Sequence, residues 1–398
     1  MRRRLIQWLL PELFFCLNVA GVVCYAVTSD SLQASLKLTD AQLGELGGAY
    51  FVTYAVSQLL LGCCLRTIPA RLVLGFTAII SGLGTLLLSI SQSYEVAMVA
   101  RVLMGIGFGT ALVGVVYVVG QLYSNRFAFM VNLSQSICNA IGASIAMTAD
   151  LPFLQNFRPP FQIISVLLFG AGIAMLAAIR DNRENSGTTQ ETEKQETLGK
   201  QLSFIISNGQ FWLGAIFYTG LFGSFLAYSD LWNIRFQIEV FNHPPGIAPM
   251  INAGVTWGLT IGGVITGIWA NRKGFQIPAR VCAFAALVLM ILLYTQPLPV
   301  GLAVVLMVLL GFTLSAAPLG LAAMNTGIPE SIQSLASPIL LTIVFLGAGL
   351  MMAGIGIDLA SLPKHAFSTY REGLHWFLVP IAIAAVSSLM MKPARANN

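Results

Sequence analysis

Two aspartates each follow a serine at matching positions, in Ala26-Val-Thr-Ser-Asp30 and in Leu226-Ala-Tyr-Ser-Asp230. Both lie at the ends of apolar runs. A carboxylate at membrane depth is expensive, so such a residue marks a proton relay, a substrate-amine contact or a wet helix end. Arg101 is the deep cation and Arg235 a shallower one. A guanidinium inside an apolar run needs an aqueous cavity, an acidic partner or neighbouring carbonyls. Asn132, Gln135, Ser136 and Asn139 recur at i, i+3, i+4 and i+7, one polar stripe on one helix face. The stripe fits a wet surface, or bonds to neighbouring helices. Tyr25, Tyr50, Tyr54, Gln58, Tyr218, Trp232, Asn252 and Trp257 complete a candidate lining for a small organic solute. Each of these alone also fits bundle packing.

Other chemistries lack their residues. His243, His365 and His375 are dispersed, and the six cysteines lie in or beside apolar runs, where Cys behaves as a small hydrophobe. No metal-ligand spacing, phosphate-binding loop or clustered catalytic set occurs, so the reading is no enzyme, no metal and no cofactor. Glu12, Asp150 and Asp358 read as residues at the membrane interfaces.

The elements that must position these residues follow from composition. The 398 residues are 56% hydrophobic and only 9% charged, with a mean hydropathy of +0.79. A soluble domain carries roughly 25% charged residues. Soluble enzymes, nucleic-acid binders and disordered chains are excluded, and the partner is a lipid bilayer. With about 20 apolar residues per crossing, the length accommodates twelve helices. The apolar runs place them near 8–30, 42–64, 71–91, 95–119, 126–149, 160–180, 205–235, 247–270, 277–296, 299–321, 335–357 and 373–391. Met-Arg-Arg-Arg followed by Leu5 to Val27 is too long for a signal-peptide core and reads as the first span.

Arg2, Arg3, Arg4, Arg66, Arg71, Arg126, Arg180, Arg183, Lys194, Lys200, Arg272, Lys273, Arg280, Lys392 and Arg395 fall on one set of loops. Only Lys37, Arg158, Lys364 and Arg371 fall on the other. The positive-inside rule then puts both termini in the cytoplasm. Residues 181–203 are polar and charged and read as a cytoplasmic linker. It separates an N-terminal six-helix bundle, 1–180, from a C-terminal one, 204–398. Besides the Ser-Asp pairs, Gly62…Arg66…Ile68-Pro-Ala-Arg71 echoes Gly267…Asn271-Arg272…Ile277-Pro-Ala-Arg280. Two echoes in the same order point to a duplication, with a site between the halves.

Several strings carry a family resemblance. Gly62-Cys-Cys-Leu-Arg66-Thr-Ile-Pro-Ala-Arg71 and Gly267-Ile-Trp-Ala-Asn271-Arg272-Lys-Gly274 sit in corresponding loops. Arg101-Val-Leu-Met-Gly105-Ile-Gly107-Phe-Gly109 lies in the fourth helix. Together with the 6+6 layout and the long central loop, they resemble the major facilitator superfamily of secondary transporters over essentially the whole length. Its loop motif reads Gly-x-x-x-Asp-Arg-x-Gly-Arg-Arg, and its fourth-helix motif Arg-x-x-x-Gly-x-Gly-x-Gly is matched in full. The resemblance implies an all-α integral membrane fold of two pseudo-symmetric six-helix bundles. It also implies gating at Gly62, Arg66, Arg71, Gly267, Asn271 and Arg272, and helix packing at Gly105, Gly107 and Gly109. Arg66 and Asn271 replace the motif's acid, which removes the usual charge relay. Ser134-Gln-Ser-Ile-Cys138-Asn139-Ala-Ile-Gly142-Ala143 keeps only one glycine of the family's antiporter motif. Tyr228-Ser-Asp-Leu-Trp232-Asn-Ile-Arg235-Phe weakly resembles the branch that includes sugar-phosphate and organic-anion carriers.

The expected function is therefore gradient-driven, proton-coupled uptake of a small polar solute, an amino acid or related metabolite, by a monomer in a bacterial inner membrane. The pathway is expected at Asp30, Asp230, Arg101, Tyr25, Tyr54, Gln58, Gln135, Asn139, Trp232 and Trp257. A proton-antiport exporter of drugs or a secreted metabolite, and a transporter-like solute receptor, are the alternatives.

Overall fold

The computed structural model describes residues 2–123, 126–149, 151–179, 198–293, 298–361 and 373–393. Every regular element among them is helical. In lipid a backbone must satisfy its own hydrogen bonds, and the helix does so within one segment. The elements are α1 (Arg2–Val27), α2 (Ser29–Leu36), α3 (Asp40–Thr67), α4 (Ala70–Ile90), α5 (Tyr94–Phe108), α6 (Ala111–Leu122), α7 (Phe127–Met147) and α8 (Arg158–Ala178). The second half holds α9 (Leu198–Ser207), α10 (Gly209–Glu239), α11 (Ala248–Lys273), α12 (Gln276–Leu293), α13 (Val300–Leu314), α14 (Leu319–Gly327), α15 (Glu330–Ser361) and α16 (His375–Met390). Helix falls on each of the twelve expected positions. Among the described residues, nine segments are long and apolar enough to cross a membrane.

Three local differences from expectation appear. The first span stops at Val27, and a short helix restarts at Ser29 with Asp30 in its first turn. A carboxylate is favoured there by the helix dipole. Helix α9 begins at Leu198, inside the segment expected as linker, because Leu198, Leu202, Phe204 and Ile205 supply apolar residues at helical spacing. Residues 181–197 lie outside the described residues. The fourth and tenth expected helices are both interrupted, at Gly109–Thr110 and at residues 315–318, giving the pairs α5–α6 and α13–α14.

The halves pack in parallel ways. Helix α3 lies on α5 and α4 on α8; in the second half α11 lies on α13 and α12 on α16. The halves meet chiefly along two seams, α3 with α15 and α7 with α11, and α1 also packs on α10. Small residues make both seams close, as is usual in membrane bundles. A Cβ on Gly48 would stand 2.6 Å from the Gly349 carbonyl oxygen, and one on Gly44 would stand 2.7 Å from that of Met352. Ala143 and Ala146 of α7 meet Ala253 of α11. Thr342 and Phe345 of α15 reach Ala55 and Tyr54 near the middle of α3. These contacts all lie between the middle of the bundle and the end that carries Asp40, Glu239 and Ser361. We call that the far end, and the end near Lys273 and Met391 the basic end.

Candidate functional site

Arg101 sits on α5 facing α3 and α1 and is buried. Its guanidinium carbon lies 4.0 Å from the Tyr25 ring centroid and 4.4 Å from that of Tyr50. Nε donates to the Leu46 carbonyl at 3.0 Å. Two aromatic faces and one carbonyl thus replace the water that this cation gives up. Nη1 has no hydrogen-bond partner among the described residues. Tyr25 is held in turn, its hydroxyl donating to the Leu43 carbonyl at 2.7 Å. Tyr50 donates to Asn18 Oδ1, and Tyr54 shares the same asparagine. Gln58 is buried two turns beyond Tyr50, its Oε1 unpartnered among the described residues.

Asp230 is half-buried and within electrostatic reach of Arg101. It lies in a π-helical turn, Tyr228–Trp232, the second such turn in α10 after Thr219–Gly223. A π turn adds a residue to the helix, rotates the face that follows and is common at functional sites. Trp232 is buried, with Nε1 donating to the Met352 carbonyl at 3.1 Å, and it packs against Gly44 across the seam.

Asp30 is not the mirror of Asp230. Its side chain is 61% exposed, and it accepts from Arg235 Nη2 at 3.0 Å. Arg235 Nη1 also meets Asp40 Oδ1 at 2.7 Å, and its Nη2 meets Gln33 Oε1. One guanidinium of the second half therefore gathers three residues of the first at the far end. The sequence echo carries the Ser-Asp pair; the breaks at Thr28 and in the π turn give the two acids different surroundings.

The remaining expected residues are dispersed. Gln135 and Asn139 are half-buried and bond each other at 3.1 Å; the side chain of Asn132 lies outside the described residues. Trp257 is 39% exposed, one turn beyond Ala253 on the face that meets α7. Arg71, Asn271 and Arg272 are exposed, Gly62 is half-buried, and the side chain of Arg66 lies outside the described residues. A Cβ on Gly267 would meet nothing within 4 Å, whereas Gly274 ends α11 with a positive φ of 77°, a backbone region open to glycine. In the fourth-helix motif a Cβ on Gly105 would strike Thr53, one on Gly107 the backbone of α4 near Ser81, and one on Gly109 Ser57. These glycines let α3 and α4 approach α5.

Two expectations are corrected. Glu12, expected at a helix end, is buried inside the first half, because α1 begins at Arg2 and carries it inward. It draws the thiols of Cys16 and Cys138 to 3.8 and 3.7 Å, and the three ligand atoms lie within 4.8 Å of one another. The cysteines are thus not scattered small hydrophobes; the packing of α1 on α7 assembles a cluster that linear spacing conceals. Asp358 lies near the end of α15, where Trp376 Nε1 donates to its carboxylate at 2.5 Å, and Asp150 lies outside the described residues. Arg235, the shallower cation of the sequence, meets Asp40 and Gln33, and neither these two nor Asn18 stands out in the linear pattern. The signal available for Arg235 was a cation placed one turn after Asp230 in an apolar run.

A sequence model of the Major Facilitator Superfamily matches residues 13–352. No curated protein matches the chain in sequence. Among solved structures, the chain is similar to the nucleoside transporter NupG, with a TM-score of 0.73 at 13% identity, covering 98% of each chain. It is similar to a bacterial homologue of the human lysosomal transporter Spinster in an inward-facing, unoccupied conformation, with a TM-score of 0.74 at 14% identity and 98% of each chain covered. A D-xylose–proton symporter gives a TM-score of 0.70 at 15% identity, covering 96% of each chain. Identities this low carry the fold alone, and it is the family match over most of the sequence that assigns the chain. With its fold, its seams and its fourth-helix motif in agreement, this membrane transporter belongs to the Major Facilitator Superfamily.

Proposed function

We propose that the protein takes up a small polar solute, an amino acid or related metabolite, together with protons, by rocking its two halves about a site between Arg101 and Asp230. The observation that carries this reading is the pair itself. A buried cation held between two tyrosine faces, its Nη1 unpartnered among the described residues, lies within electrostatic reach of a half-buried carboxylate of the other half. Such a pair offers complementary ends to a zwitterion, or a proton acceptor beside a neutral solute. It disfavours a dianion, which needs converging cations.

The distribution of Lys and Arg supports a cytoplasmic basic end and hence cytoplasmic termini in a bacterial inner membrane. In that orientation the Arg235 cluster joins the halves on the outer side. The test is transport by Asp230→Asn in right-side-out vesicles, against a panel of labelled amino acids and nucleosides. A coupling carboxylate predicts loss of accumulation with exchange retained. Loss of both exchange and affinity makes Asp230 a solute ligand instead. Accumulation at the wild-type level removes Asp230 from the mechanism.

A further inference from the structure

Two helix faces in the first half bring three metal-ligating side chains together. On α1, Trp8, Glu12 and Cys16 stand at i, i+4 and i+8 and share one face; on α7, Ser134 and Cys138 stand at i and i+4. The two faces meet because α1 packs on α7. Trp8 Nε1 donates to Ser134 Oγ at 3.2 Å, which fixes the register of the two helices, and Ser134 stands beside the Glu12 carboxyl. Glu12 Oε1 then lies 3.8 Å from Cys16 Sγ and 3.7 Å from Cys138 Sγ, and the two sulfurs are 3.1 Å apart.

Glu12, Cys16, Ser134 and Cys138 are all buried, and Glu12 Oε2 has no hydrogen-bond partner among the described residues. A carboxyl oxygen that has left water without gaining a donor is costly. The two thiols return little to the other oxygen, because S–H is a weak donor. No Lys, Arg or His forms an ion pair with Glu12 among the described residues. The cluster thus gathers three ligand groups without a cation to serve.

The spacing fits a metal ion. Tetrahedral zinc takes sulfur at about 2.3 Å and carboxylate oxygen at about 2.0–2.2 Å, which sets S···O at about 3.5–3.7 Å and S···S at about 3.8 Å. Both sulfur–oxygen distances lie close to that range as they stand. The sulfurs must part from 3.1 Å to the zinc spacing, which a small rotation of either cysteine side chain supplies. Two sulfurs and one carboxylate select a borderline-soft ion, whereas magnesium and calcium require oxygen ligands throughout. Thiolate is the ligand form of cysteine, so the two thiols release their protons as the ion enters. The next residues of α7 after Ser134 and Cys138 are Gln135 and Asn139, half-buried and polar, so the approach along α7 is not wholly apolar.

We propose that Glu12, Cys16 and Cys138 form a binding site for a divalent cation of the zinc class, which clamps α1 to α7. Both helices face the other half, α1 against α10 and α7 against α11, so the clamp stiffens the surface on which the halves rock. The site stands apart from Arg101 and Asp230 and depends neither on the solute nor on the coupling ion.

The probe is cadmium, titrated into the full chain in lipid nanodiscs and followed by thiolate-to-cadmium charge-transfer absorption. Wild type is expected to bind one equivalent, with zinc competing and magnesium not. Cys138→Ser should abolish the band. Glu12→Gln should weaken binding by about tenfold or more, since even residues behind the ligands cost that much. Replacing the adjacent thiols, Cys63→Ser with Cys64→Ser, should leave the band in place. If Cys138→Ser fails to assemble, wild type alone decides: bound zinc should protect both thiols from diamide, read by mass spectrometry of the intact protein. The site is overturned by wild type that shows no band, or by a band that survives Cys138→Ser. Wild-type affinity in Glu12→Gln overturns the three-ligand site, leaving a bare dithiol. Diamide oxidation at the same rate with and without zinc overturns it as well.

Discussion

Arg235 Nη1 stands 2.7 Å from Asp40 Oδ1, a contact between halves made by residues 195 positions apart. The side chains are only 9% and 11% exposed. This pair exists only while the far ends of α3 and α10 are together, so it belongs to one conformation of the transporter. Removing one partner of a shielded pair leaves the other charge uncompensated.

Arg235→Ala is accordingly expected to weaken closure of the far end by about 1.5–3 kcal/mol, the range of hydrogen bonds to charged groups. The measurement is the maleimide labelling rate of a single cysteine placed on the far-end surface of α3. The rate should rise by about ten- to a hundredfold, since every 1.4 kcal/mol is a factor of ten. An unchanged rate would mean that the glycine seam alone holds the far end shut.

Gly48→Val tests that seam. Its Cβ would stand 2.6 Å from the Gly349 carbonyl oxygen, closer than side-chain carbons approach backbone oxygen. The halves must separate to accept it, so far-end labelling should rise and transport should fall. Gly170→Val, where a Cβ meets nothing within 4 Å, is the matched control and should behave as wild type.

Arg101→Ala removes the bond to Leu46 and leaves Tyr25 and Tyr50 facing a void, so transport should be abolished while the protein still reaches the membrane. Arg101→Lys should retain little, because an ammonium lacks the planar fork that stacks on both rings. Cation–π contact in a desolvated setting contributes about 2 kcal/mol. Vesicle uptake and membrane abundance, measured together, decide this. Uptake by Arg101→Ala at the wild-type level would remove the residue from the pathway.

Cys16 and Cys138 have their sulfurs 3.1 Å apart, on α1 and α7. Treatment with diamide, a thiol oxidant, should join them and reduce diamide to the hydrazine. The cross-link is read as loss of two alkylatable thiols, by mass spectrometry of the intact protein. Cys138→Ser should abolish that loss. A full complement of free thiols in oxidised wild type would show that α1 and α7 do not bring the pair together.

The sequence alone determined that this chain lives in lipid, because 9% charge cannot solvate a 398-residue globule. It also determined where the helices lie, because apolar runs and their polar breaks are local properties. The fourth-helix motif exposed Arg101 and three packing glycines, since a charge and repeated small residues stand out against an apolar background. Tertiary structure decided which of these residues act together. Asp30 and Asp230 read alike, yet one is tied to Arg235 at the far end and the other lies near Arg101. Glu12 and the two cysteines meet only because α1 packs on α7. Hydropathy and spacing report what each segment must do in the membrane. Partners separated by more than a hundred residues are fixed only when the segments pack, because hydrogen bonds and ion pairs depend on a few ångströms that no linear pattern encodes.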